Sequence, residues 1–108
     1  MRNLALMAEY DCFAVWDRDA PDNLNADVLP ISDDLKGRIH AWERAFAHTQ
    51  VKDDPDASGF SDPRALAEFD QEGTRIWKSL IEELGDEYFV SYYSPVSLTY
   101  LDPEVIPR

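Results

Sequence analysis

The sequence predicts an α+β fold, a small and mainly antiparallel sheet with two helices packed on it, in the order β-α-α-β-β and as a single domain over residues 1–108. Three observations point there. Two long stretches place apolar residues at helical spacing. Three shorter ones, nearer the chain ends, are dense in aromatic and β-branched residues. The segments between them hold proline, glycine, asparagine and aspartate. An amphipathic helix and an apolar strand each need a partner layer, and a sheet covered by two helices supplies both. With 108 residues, 44% hydrophobic and 12% aromatic, the chain has enough material for one core and too much for a wholly disordered polymer.

Residues 7–17 (Met-Ala-Glu-Tyr-Asp-Cys-Phe-Ala-Val-Trp-Asp) predict the first strand. Cys12, Ala14 and Trp16 would share one face and Phe13 and Val15 the other, which predicts a strand covered on both sides. Residues 18–30, broken by Pro21, Asn23, Asn25 and Pro30, predict a loop pinned by Leu24, Val28 and Leu29. Ser32 is a good N-cap for the first helix, and Asp33 and Asp34 fall in its first turn, at the positive end of the helix dipole. Leu35, Ile39, Trp42 and Phe46 follow at i, i+4, i+7 and i+11, and the helix fades near His48–Gln50. Residues 51–62 predict a second loop. Asp62 with Pro63 then starts a long second helix that Gly85 stops. Its inner stripe is Leu66, Phe69, Gly73, Ile76, Trp77, Leu80 and Leu84, and a glycine on a buried stripe predicts close approach by a neighbour. Tyr88–Tyr93 and Val96–Leu101 predict two strands with a turn at Ser94-Pro95, and Pro103 and Pro107 end regular structure.

Asp and Glu number 22 and Lys and Arg 10, for a net charge of −12. A small domain ordinarily carries roughly 2 to 8 units. Nucleic acid and anionic membranes repel such a chain, so neither is expected as a partner. A single cysteine, Cys12, excludes an intrachain disulfide and fits a reducing, cytoplasmic setting. The N-terminal apolar run Leu4–Ala8 is too short for a signal peptide, and no apolar stretch of about 20 residues offers a membrane span.

The motif-like stretches carry little chemistry. Asp54, Asp56, Ser58 and Gly59 copy the first half of a calcium-binding EF-hand loop, but the twelfth position, which needs a bidentate Glu, is Ala65. The stretch reads as an acidic turn, and no metal is expected. His40 and His48 lie eight residues apart on one helix, about 12 Å along its axis, too far to share an ion. Cys12 sits in an apolar segment and is expected to be buried and inert. Glu68 and Glu72 read as solvated helix charge balanced by Arg64, Arg75 and Lys78. Nucleophile elbows, phosphate-binding glycine loops and dinucleotide fingerprints are absent from the sequence. No catalytic residue, cofactor or enzymatic activity is expected.

The acids, by contrast, are clustered. From Glu9 to Asp34 there are eight (Glu9, Asp11, Asp17, Asp19, Asp22, Asp27, Asp33, Asp34) against one base, Arg18. A second group, Asp53, Asp54, Asp56 and Asp62, has only Lys52 nearby. Both fall in loops or at helix starts. If those ends converge, they make a negative patch suited to a basic protein. Tyr88, Tyr92, Tyr93 and Tyr100 crowd the C-terminal strands. Alternation prevents all four from facing one core, so some cover the outer face of the sheet or serve as interface anchors.

The strings Tyr10-Asp11-Cys12-Phe13-Ala14-Val15-Trp16, Leu29-Pro30-Ile31-Ser32, Asp53-Asp54-Pro55 with Ser58-Gly59-Phe60, and Glu72-Gly73 before Glu83-Leu84-Gly85 resemble small acidic bacterial immunity-type proteins of contact-dependent inhibition and polymorphic toxin systems. The resemblance spans most of the chain and transfers no catalytic residue. It implies a protein made beside a toxin and able to bind it. Joined to the charge, it implies a cognate basic toxin domain as partner. The first expectation is a nuclease, which must present Lys and Arg to phosphates. The expected contact residues are Asp17, Asp19, Asp22, Asp33, Asp34, Asp53, Asp54 and Asp56. The alternatives are a small cytosolic adaptor or regulatory binding protein without a toxin partner, whose charge serves solubility, and an enzyme built around His40, Cys12 and nearby carboxylates.

Overall fold

Leu4, Ala5 and Leu6 are buried on both faces of the sheet, and the rest of the architecture is arranged about them. The computed structural model describes residues 2–20, 22–50 and 59–103. In chain order the elements are β1 (Arg2–Leu6), β2 (Val15–Asp17), β3 (Asp22–Leu24), α1 (Asp33–Ala47), α2 (Pro63–Leu84), β4 (Tyr88–Ser94) and β5 (Thr99–Leu101). Short 3-10 turns at Ala26–Val28 and Gly85–Glu87 precede α1 and follow α2. The five strands form one sheet in the order β3-β2-β1-β4-β5, in which β1 pairs parallel with β4 and every other pairing is antiparallel. The fold is α+β with two helices on a mainly antiparallel sheet, as the sequence predicts. Both helices pack over Val90, Tyr92 and their neighbours on one face.

The helix boundaries follow local chemistry. The Ser32 hydroxyl accepts from Leu35 N at 3.2 Å and caps α1. Asp62 accepts from Arg64 N at 2.9 Å and caps α2, with Pro63 in its first turn. Gly85 ends α2 with φ 74°, a left-handed backbone that favours glycine, and the turn it begins sends β4 back along the helix.

Four expectations need correction. Only Val15–Asp17 of the stretch 7–17 is strand, and the central strand is the N-terminal run Arg2–Leu6. Residues between Met7 and Ala14 leave the sheet because long-range side chains satisfy their backbone. Asn23 bonds both the N–H and the carbonyl of Phe13 at 2.7 Å, and Glu43 accepts from Ala14 N at 2.6 Å. Asp11 turns the chain with φ 60°, and Cys12 is exposed rather than buried. The stretch 18–30 is not all loop but holds β3 and a 3-10 turn. The last strand begins at Thr99 rather than Val96, because residues 95–98 form the turn.

The second helix carries the packing. Phe69, Gly73, Ile76, Trp77, Leu80 and Leu84 are buried along its inner face. Trp77 donates its indole N–H to Val90 O at 2.7 Å, which ties α2 to β4. Trp42 donates to Phe69 O at 2.9 Å and stacks on the Phe69 ring at 4.4 Å, which ties α1 to α2. The Tyr92 hydroxyl donates to Asp70 Oδ1 at 2.7 Å, and Ser94 donates to the same oxygen at 3.1 Å. Burial and the Asp70 carboxylate push the Tyr92 hydroxyl far above its ordinary pKa, so it stays a donor. Each satisfied buried polar group contributes about 1 kcal/mol and avoids the larger cost of being left unpaired.

Gly73 is where Trp42 and Tyr92 meet. A methyl group there would lie 2.7 Å from Trp42 Cζ2 and closer still to the Tyr92 hydroxyl. Alanine ordinarily gains about 1 kcal/mol over glycine inside a helix, but forced overpacking costs about 1–3 kcal/mol. Gly73→Ala is therefore expected to destabilise the protein by about 2 kcal/mol, read as a lower urea midpoint with an unchanged slope.

Candidate functional site

Strand directions decide where the acids go. β1 and β4 run parallel and start at the same end of the molecule, and β2 returns to that end, with Leu4 opposite Asp17. α2 finishes there, one short turn before β4. α1 begins there as well, because Ser32 N and Oγ donate to Glu83 near the end of α2 at 2.6 and 2.9 Å. The topology thus gathers Asp17, Asp19, Asp22, Asp33 and Asp34, all predicted contact residues, at one end. It adds four acids that sequence reasoning missed: Glu82, Glu83, Asp86 and Glu87. Their signal was the run Glu82-Glu83-Leu84-Gly85-Asp86-Glu87, which an antiparallel helix pair places beside the start of the first helix.

The acids at this end have different local roles. Asp17 is paired with Arg2 at 3.0 Å and accepts from Asp19 N and Ala20 N at 2.9 and 3.2 Å, so it builds the turn into β3. The Arg2 hydrogen bond, helped by those two N–H groups, holds its carboxyl below the usual range. Asp19 accepts from the side chain of Asn3 at 2.9 Å and from its N–H at 3.3 Å. Asp22 accepts from Asn23 N at 3.0 Å. Asp33 and Asp34 stand exposed at the start of α1, with Lys36 3.9 Å from Asp33. The last turn of α2 holds no base to answer the negative end of its dipole.

Asp53, Asp54 and Asp56, with the half calcium loop, lie outside the described residues. The flanks of that segment, joined by a bond from Gly59 N to Thr49 O at 3.0 Å, sit at the opposite end of the helix pair together with Asp62. α2 has 22 residues and so is about 33 Å long. The flanks of the second acidic group therefore do not converge on the first. Among the described residues no group of three or more His, Cys, Asp and Glu is placed to hold a metal ion. Among the same residues no helix is long and apolar enough to cross a membrane.

Glu9, Asp11, Cys12, Phe13, His40 and Glu43 line an open hollow of about 410 Å³. His40 is clamped at both ring nitrogens. Nε2 lies 2.9 Å from Asp27 Oδ1, and Nδ1 lies 2.8 Å from Glu43 Oε1, while the other Glu43 oxygen holds Ala14 N. A neutral imidazole has one N–H and satisfies one of these acceptors, whereas the imidazolium satisfies both. The hydrogen bond to Asp27 first, and that to Glu43 with it, raise the His40 pKa against the opposing effect of partial burial. Both ring nitrogens are engaged by carboxylates, and neither is hydrogen-bonded to the Cys12 thiol, although both residues line the same hollow. The sequence reading did not pair His40 with either carboxylate: Glu43 lies one helical turn away, and Asp27, 13 residues away, is brought in by the fold.

Because the folded pKa of His40 lies above its unfolded value, the clamp's stabilisation is complete below about pH 6.5 and is lost as pH rises through the folded value. Unfolding free energy measured from pH 5 to 9 is expected to decline over that upper range, and His40→Gln is expected to flatten the decline. An unchanged profile in the variant contradicts the assignment.

No curated protein matches the chain. The sequence signature described as Serratia CdiI immunity protein-like matches residues 2–95, from β1 to the turn after β4. It takes in the caps, the α2 stripe and the whole acidic end, and the chain belongs to the Serratia CdiI immunity protein-like family.

Proposed function

We propose that this chain is a cytoplasmic, single-domain immunity protein that binds and neutralises a cognate toxin domain with a basic working surface, a nuclease first among such toxins. Family membership carries the immunity reading. The acidic end supports its siting. Nine carboxylates from β2, the turn into β3, both helices and the turn after α2 stand together there, facing few cations. A nuclease presents Lys and Arg to phosphate oxygens, and an anionic protein surface of this kind competes for the same groups. Opposed fields also raise the rate of encounter and reject partners of the wrong sign. The proposed contacts at this end are Asp17, Asp19, Asp22, Asp33 and Asp34. Asp53, Asp54 and Asp56 are proposed as a separate contact. No chemical step is assigned to the chain, which acts by occupying the toxin's active or substrate-binding face.

Co-expression with a candidate toxin domain, sought first in the neighbouring gene, is expected to rescue growth. In stopped-flow association with that domain, Asp19→Lys with Asp22→Lys is expected to slow binding by about tenfold at low salt and to reduce its salt dependence. Association at the wild-type rate contradicts the siting.

A further inference from the structure

The charge of this chain has a gap. From Tyr88 to Leu101 no residue is charged, in a sequence of which 30% is Asp, Glu, Lys or Arg. The stretch is the β4–β5 hairpin, built largely of Tyr, Ser, Val and Leu. Core packing explains Val90 and Tyr92 but not the outer residues: Val96 is 54% exposed, Leu98 67% and Tyr100 46%.

Leu98 also has φ 56°, a left-handed backbone that a bulky side chain rarely adopts and that costs free energy. Its exposed side chain gains no burial in return. The turn is nevertheless firmly built. Leu98 N donates to Ser94 O at 2.8 Å. Ser94 Oγ accepts from Val96 N and Ser97 N at 3.2 Å each and donates to Asp70 on α2. Tyr100 is braced edge-on by Tyr93 at 5.0 Å and lies under the Arg18 guanidinium at 4.6 Å. The left-handed backbone closes the hairpin, but nothing in folding requires a bulky apolar side chain at that position, and an exposed apolar tip held this rigidly suits a binding element. Rigid tyrosines among serines are the chemistry of preformed recognition surfaces.

Resting on the immunity reading, we propose that the tip of the β4–β5 hairpin, through Val96, Leu98 and Tyr100, is the apolar anchor that seats in a hydrophobic pocket of the cationic toxin domain. The chain's own charge selects that occupant. A second copy would bring another −12 units against this surface, whereas a cationic protein is drawn toward it. The turn stands at the far end of β4 from Tyr88, roughly 23 Å for seven residues. An interface of about 800 Å² per partner is wide enough to include both the tip and the acidic end. Desolvated side chains at the tip hold the complex together after the carboxylates have steered it into place.

The test uses the full chain and the toxin domain from whose action its co-expression rescues growth. Leu98→Gly removes the side chain and suits the backbone; Val96→Ser removes apolar surface without touching the strain. Both are expected to raise Kd at least tenfold, mainly through faster dissociation, with a thermal midpoint at or above that of the wild type. Wild-type affinity in both variants overturns the anchor while leaving the immunity reading intact. A wild-type chain that fails to bind this toxin domain overturns the immunity reading and the anchor with it. A wild-type dimer in sedimentation that Leu98→Gly converts to monomer replaces the toxin with a second copy and overturns the proposal.

Discussion

Where α2 crosses the sheet, Gly73 leaves a space that two large side chains fill. Trp42 reaches it from α1 and Tyr92 from β4, and their polar atoms end on the helix itself, at Phe69 O and Asp70. Three elements, α1, α2 and β4, are thereby fixed in one register. A shift of α2 by one residue would move the glycine out from under the rings and place a side chain in the gap. The direction of α2 relative to β1 and β4, and with it the end at which α2 stops, follows from this contact. So does the placing of Glu82 and Glu83 beside the start of α1, since Ser32 reaches Glu83 only in this arrangement.

Gathering carboxylates at one end works against folding, because like charges repel in the compact state. Some of the cost is offset locally. Asp33 and Asp34 face the positive end of the α1 dipole, Asp17 has Arg2, and Glu83 accepts two hydrogen bonds from Ser32. Glu82 and Glu83 at the negative end of α2 have no such compensation from the dipole. The structure tolerates this because its core is continuous and its buried polar side-chain atoms are paired among the described residues.

Helix boundaries were legible because their determinants are local. Ser32, Asp62-Pro63 and Gly85 act within a turn of themselves, and Gly73 announces a close neighbour by sitting on an apolar stripe. The strands were harder. Leu4-Ala5-Leu6 shows no alternation because both of its faces are covered, and so short a run gives no period to read. Tyr10–Ala14 has the composition of a strand, yet Asn23 and Glu43, distant in sequence, claim its backbone groups. The acids of the β2–β3 region were visible as a cluster in the chain. Those of the α2 terminus join them only through the antiparallel helix pair, which no short window contains. The His40 clamp went unread, since Asp27 reaches it only through the fold.

The proposed recognition of a cationic toxin domain by the acidic end is an electrostatic one, and salt screens it. The most direct measurement is the association rate of the wild-type chain with a candidate cognate toxin domain, followed across ionic strength. The rate is expected to fall by about tenfold or more from low to high salt, while dissociation changes little. An association rate independent of salt would contradict it.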